Sequence, residues 1–168
     1  MRRSGVRSLA CVLAAALSLG GCLYGFAGGG LPSHIKTVAV LPFENETPAA
    51  GLQQELWDMM KRDVESRLGL RSASESRADA VVRGRITRYD PDIPVGYSAE
   101  PLEARTARRR LQISVDVEIV DQSTGKALWM RRGLVAEGEY AEQSEITGRR
   151  LAVEKIVNEV IAGAQSQW

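Results

Sequence analysis

The sequence predicts an α+β fold in which a four-stranded, mostly antiparallel sheet carries two helices on one face, in the order β-α-β-β-β-α. Three observations predict it. Apolar residues recur every four positions from Leu52 to Leu68. A long strict alternation runs through Leu111, Ile113, Val115, Val117 and Ile119. The turn-forming Asp121-Gln122-Ser123-Thr124-Gly125 then joins it to a second β-rich run, positions 126–140, as a hairpin.

The first residues are unlike the rest. Arg2, Arg3 and Arg7 precede an apolar run over positions 9–19, and Leu19-Gly20-Gly21-Cys22 follows. These are the basic, apolar and small-residue regions of a secretory leader. The run of about eleven residues is too short to span a bilayer, which takes roughly twenty. The residues around Cys22 resemble the bacterial lipobox, in which the thiol is acylated before cleavage after residue 21. Cys11 leaves with the leader, so Cys22 is the sole thiol of the expected mature chain and no internal disulfide can form. Two or more acyl chains give stable membrane anchoring. Leu23, where an Asp would hold such a protein at the inner membrane, favours the periplasmic face of the outer membrane.

Removing the leader leaves about 147 residues, the size of one domain. The expected divisions are a leader at 1–21, a lipid-anchored Gly-rich tether at 22–33 and a single α+β domain at 34–168. Gly25, Gly28, Gly29, Gly30 and Pro32 give the tether a composition that flexes. Positions 35–43 (IKTVAVLPF) form a short β-branched strand ended by Pro42. After the first helix, positions 78–89 place Ala80, Val82, Gly84 and Ile86 on one face. Val81, Arg83, Arg85, Thr87 and Tyr89 take the other. Pro91, Pro94 and Pro101 mark positions 90–105 as a long irregular excursion. The alternating strand then turns Arg110, Gln112, Ser114, Asp116 and Glu118 outward, which gives the sheet one wet face. A second helix over about 145–164 presents Ile146, Val153, Ile156, Val157, Val160 and Ile161 as its apolar stripe. The outer sheet face stays polar unless a partner covers it.

A net charge of +1 gives no bulk attraction for nucleic acid, and none is expected as a partner. His34 is the only histidine and reads as a surface residue at the mouth of the first strand. Ser72, Ser74 and Ser76 have no neighbouring base motif, and no nucleophile elbow, C-x-x-C, H-E-x-x-H or P-loop occurs. Asp116 and Glu118 share a strand face, as solvated polar residues do. No catalytic residue, metal or cofactor is expected, and Trp57 and Trp129 read as core or interface. The candidate binding set is cationic: Arg83 and Arg85 on one strand face, and Arg108, Arg109 and Arg110 at the start of the next strand, with Arg131 and Arg132 beyond. The planar guanidinium fork suits phosphate because it bonds bidentately.

Several segments together carry a family resemblance. Leu23-Tyr24-Gly25-Phe26 follows the lipobox, then come LPSHIKTVAV at 31–40 and PFEN at 42–45. Ala78-Asp79-Ala80 precedes a Gly-containing strand, DQSTGKALW occupies 121–129, and Trp168 ends the chain. In this order they resemble the lipopolysaccharide-assembly lipoprotein family, LptE, with Leu23 in place of that family's usual Gly. The resemblance implies a non-enzymatic partner that sits within the outer-membrane β-barrel LptD, helps the barrel fold and contacts lipopolysaccharide on its way out. It makes lipid A phosphate the ligand expected at the arginine set. Positions 38–45 (VAVLPFEN) also look like the opening strand of lipoprotein activators of cell-wall synthases and of curli-secretion lipoproteins. A tether over 23–33 spans at most about 36–40 Å, which favours a partner at the membrane surface over one beyond the cell-wall mesh.

Overall fold

The computed structural model describes residues 30–94, 108–141 and 144–166. The leader, Cys22, most of the tether, positions 95–105 of the excursion and Trp168 lie outside the described residues. The elements are β1 (Thr37–Val40), β2 (Glu44–Asn45), α1 (Leu52–Leu68), β3 (Arg71–Ser72), a 3₁₀ turn (Glu75–Arg77), β4 (Ala80–Pro94), β5 (Arg108–Asp121), β6 (Ala127–Ala141) and α2 (Glu145–Ser166).

The sheet has six strands, not the four expected. Its order is β3-β1-β4-β5-β6, with β2 also paired to β4. The long ladders β4–β5 and β5–β6 are antiparallel, as the hairpin pattern requires. The short pairings β1–β3, β1–β4 and β2–β4 are parallel. The expected first strand ends as β1 at Val40, because Pro42 has no N–H to give the ladder, and β2 lies just beyond the expected strand, in the polar stretch after it. Val40 lies opposite Val82 and Glu44 opposite Arg85, so one extra residue is accommodated between them. This bulge turns Phe43 into the core, where it is 4 % exposed. The sixth strand forms where Gly69, left-handed at φ 66°, ends α1 and lets Arg71 and Ser72 lie beside Thr37 and Val38.

Both helices pack on one sheet face and share one core with it. Leu52, Leu56, Met60 and Val64 of α1 are fully buried, as are Val153, Ile156, Val157, Val160 and Ile161 of α2. Each such side chain contributes about 1.5–3 kcal/mol. Ile146 does not join them: α2 meets β6 backbone to backbone only from Gly148, on Gly138, and Ile146 is 73 % exposed.

The alternation of β5 holds throughout, with all five inward residues at most 2 % exposed. That of β4 holds only as far as Ile86. Ile86 lies opposite Val115 but Arg88 opposite Ser114, so Thr87 is an extra residue and the phase reverses. Tyr89, expected on the outer face, therefore lies opposite Ile113 on the core side, where its hydroxyl donates to Glu145 of α2. The strand also continues into the expected excursion as far as Pro94, because a second irregularity between Asp90 and Ile93 accommodates Pro91.

Candidate functional site

The outer face of β4, β5 and β6 carries a ladder of cross-strand ion pairs. Arg83 donates to Glu118, and Arg85 lies 3.0 Å from Asp116 and 3.6 Å from Glu46. Further along, Arg110 lies 3.2 Å from Glu137 and 3.7 Å from Glu139. These pairs form because residues directly opposite on antiparallel strands share a face. At the β6 bulge, Gly133 at φ 61° turns its N–H to Asp116 at 2.7 Å. That N–H, with Arg85 behind it, holds the Asp116 carboxyl below the usual carboxylate range. In turn the Asp116 carboxylate raises the Arg85 guanidinium above its ordinary value.

Beside this pair the face dips into a depression of about 360 Å³, lined by Arg83, Arg85, Arg132, Glu44, Asp116 and Met130 among others. Arg132, whose charge also helps to hold Asp116 ionised, makes no close ion pair among the described residues, and Met130 is 51 % exposed. Guanidinium groups beside an exposed thioether suit an amphiphile that carries phosphate.

The structure divides the expected arginine set. Arg83 and Arg85 share the depression, whereas Arg110 lies about 20 Å further along β5, at roughly 3.4 Å per residue from Asp116. Arg109 alternates to the other face and pairs with Asp92. Arg108 lies opposite Ala141 in the ladder, and its side chain is outside the described residues. Arg131 lies opposite Val117 on the helix side and pairs with Glu159 of α2. Of the two tryptophans among the described residues, Trp129 is core at 7 % exposure, and half-buried Trp57 donates to the Val40 carbonyl at 2.8 Å.

A second polar cluster lies at one end of the sheet. Asp121 is 2 % exposed and accepts the Ser123 N–H and hydroxyl at 2.8 and 2.7 Å and the Thr124 hydroxyl at 2.9 Å. The Ser123 hydroxyl above all, with His34 Nε2 at 2.9 Å, holds this carboxyl far below its ordinary value. His34 stands at the strand mouth, as its place in the sequence predicts, while its buried partner Asp121 is not evident from strand patterning. The signal was present in DQSTG, where an Asp closes a turn onto the hydroxyls two and three residues on. Among the described residues no group of three His, Cys, Asp or Glu could hold a metal, and no helix is long and apolar enough to cross a membrane.

The LptE family, described as lipopolysaccharide-assembly, has a model that matches residues 35–162. The chain belongs to the LptE family. LptE proteins are non-enzymatic lipopolysaccharide-assembly proteins. The family resemblance read from the segments above is thereby established. Among solved structures, a putative lipoprotein from Caulobacter crescentus CB15 shares the fold of this LptE-family chain. It has a TM-score of 0.51 and 14 % identity, over 77 % of this chain and 88 % of that one. A lipoprotein from Neisseria meningitidis is similar at a TM-score of 0.45 and 18 % identity, covering 76 % and 99 %. A protein from Xanthomonas campestris is similar at 0.49 and 11 %, covering 84 % and 89 %. No curated protein matches the sequence.

Proposed function

We propose that this LptE-family chain is an outer-membrane lipoprotein, held on the periplasmic face by acyl chains on Cys22. There it assists lipopolysaccharide assembly as the non-enzymatic partner of the β-barrel LptD and contacts lipopolysaccharide. The observation that carries this reading is the family match over 35–162, which covers nearly the whole folded domain.

The outer sheet face supports it physically. Arg83 and Arg85, with Arg132 and Met130, offer a phosphate-bearing amphiphile both a cationic and an apolar contact. Arg110 at the head of β5 offers a second, separate cationic contact on the same face. Their carboxylate partners do not bar a ligand, because exposed ion pairs are worth only about 0.2–1 kcal/mol and exchange readily for a bidentate phosphate. The test is retention of lipopolysaccharide by immobilised protein. Arg83→Gln, Arg85→Gln and Arg132→Gln together should lower retention by about tenfold or more, since a hydrogen bond to a charged group is worth about 1.5–3 kcal/mol. Arg110→Gln tests the second contact. Unchanged retention in both variants, with wild-type circular dichroism, would remove the arginines from the site.

A further inference from the structure

Two successive outward residues of β4 stand opposite two of β5: Arg83 faces Glu118 and Arg85 faces Asp116. The ladder builds both ion pairs in the same way, and by pairing alone they are equivalent. What lies behind the two carboxylates differs. Arg132 and Gly133 of β6 share the place opposite Asp116, because Val115 pairs with Leu134 and Val117 with Arg131. A bulge of this kind re-aims the backbone locally. Gly133 sits in it at φ 61° with nothing within 4 Å of where a methyl group would be, so glycine is required there for the backbone angle and not for room. Its N–H donates to Asp116 Oδ1 at 2.7 Å.

The other oxygen of Asp116 belongs to Arg85, whose Nε and Nη2 lie 3.1 and 3.0 Å from Oδ2. Both carboxylate oxygens are therefore fixed, and the guanidinium is gripped along one edge. A guanidinium presents all its N–H groups in one plane. With the Nε side taken, the fork between Nη1 and Nη2 is left for an oxyanion. Glu46 lies 3.6 Å from Nη1, too far for a hydrogen bond, and its side chain is half exposed. The Glu118 carboxylate accepts from Arg83 Nε, and among the described residues no backbone N–H holds it in place.

We infer that Asp116 is the positioning residue of this face: anchored by Gly133, it holds Arg85 so that the open end of the guanidinium meets a lipopolysaccharide phosphate bidentately, while Glu118 and Glu46 are counter-ions that the phosphate displaces. The inference rests on the reading that Arg83, Arg85 and Arg132 take that phosphate. A guanidinium already ordered by Asp116 does not have to be ordered by the ligand, and preorganisation of this kind strengthens binding. The consequence runs against simple charge. Removing a carboxylate from beside a cationic site should favour an anion, whereas removing this one should disfavour it.

Retention by the immobilised chain of lipopolysaccharide, and of the same lipopolysaccharide stripped of its phosphate groups, separates the two roles. Asp116→Asn should lower retention of the phosphorylated form by about fivefold, within the range of coupling between groups in contact, and leave the stripped form unchanged. Glu118→Gln should not lower either. In the Arg85→Gln background Asp116→Asn should cause no further loss, because the residue acts through Arg85. A rise on Asp116→Asn would make Asp116 one more counter-ion and overturn the inference. Equal losses on both forms of the ligand would mark damage to the fold and overturn it too, as would a loss that persists undiminished in the Arg85→Gln background. Wild-type retention by the Arg85→Gln chain itself would be a different failure: it would take Arg85 out of the site, and the role of Asp116 with it.

Discussion

Gly138 of β6 and Gly148 of α2 meet backbone to backbone: a methyl group built on Gly138 would lie 1.8 Å from the Gly148 carbonyl oxygen. The helix therefore lies on the strand with no side chain between them. The Tyr140 ring fills the flank, 2.7 Å from where a Gly148 methyl would be. Gly138→Ala forces helix and strand apart at their first contact. Overpacking costs about 1–3 kcal/mol and more where backbone must move, so about 3 kcal/mol is expected here. The measurement is denaturant unfolding, in which the midpoint should fall with the slope unchanged. A loss below about 0.5 kcal/mol would mean that the helix is not so close.

The bulge at Thr87 gives a second prediction. Because the phase reversal brings Tyr89 to the core side and its hydroxyl to Glu145, Tyr89→Phe should cost about 0.5–1.5 kcal/mol. Were Tyr89 on the outer face as strict alternation has it, the substitution would be neutral to within about 0.5 kcal/mol.

These two sites mark how far the sequence is legible. Alternation identified the inward residues of β5 because no bulge interrupts its own count, and the four-residue recurrence identified α1 because every member of it down to Val64 is buried. Tyr89 was misplaced because a bulge costs one residue and leaves no composition signature. The end of the first strand is legible in Pro42, whereas β2 shows only once β4 is known to lie beside it. The arginine set was legible as residues and not as a site. Arg109 and Arg110 are neighbours in sequence but alternate across the sheet, and the distance from Arg85 to Arg110 depends on the β4–β5 register.

Acid should weaken the fold through its depressed carboxyls. Asp121, Asp79 and Asp116 lie below their ordinary values, held respectively by the Ser123 hydroxyl, the Lys36 N–H and the Gly133 N–H. An unfolded Asp titrates near about 3.9, so the stabilisation is complete above that pH and is lost as pH falls through the lower folded values. Asp121→Asn should be less stable than the wild type at pH 7, and the gap should narrow below about pH 4. A gap of constant size from pH 7 to pH 3 would contradict this account of Asp121.

Cys22→Ala should leave uncleaved precursor or soluble protein in place of an acylated chain, because Cys22 is the only thiol after the expected leader. Metabolic labelling with a fatty acid checks it. Equal labelling of wild type and variant would place the anchor elsewhere.

The central claim is partnership with a barrel, and co-purification in mild detergent tests it most directly. Lipid anchoring alone does not hold two proteins together once the membrane is dissolved, whereas a permanent interface of more than about 2,000 Å² does. Tagged chain should recover untagged LptD, both as the acylated protein and as the Cys22→Ala form that has no anchor to share a micelle through. Recovery of a cell-wall synthase and no barrel from either bait would contradict the account and favour a regulator of that enzyme.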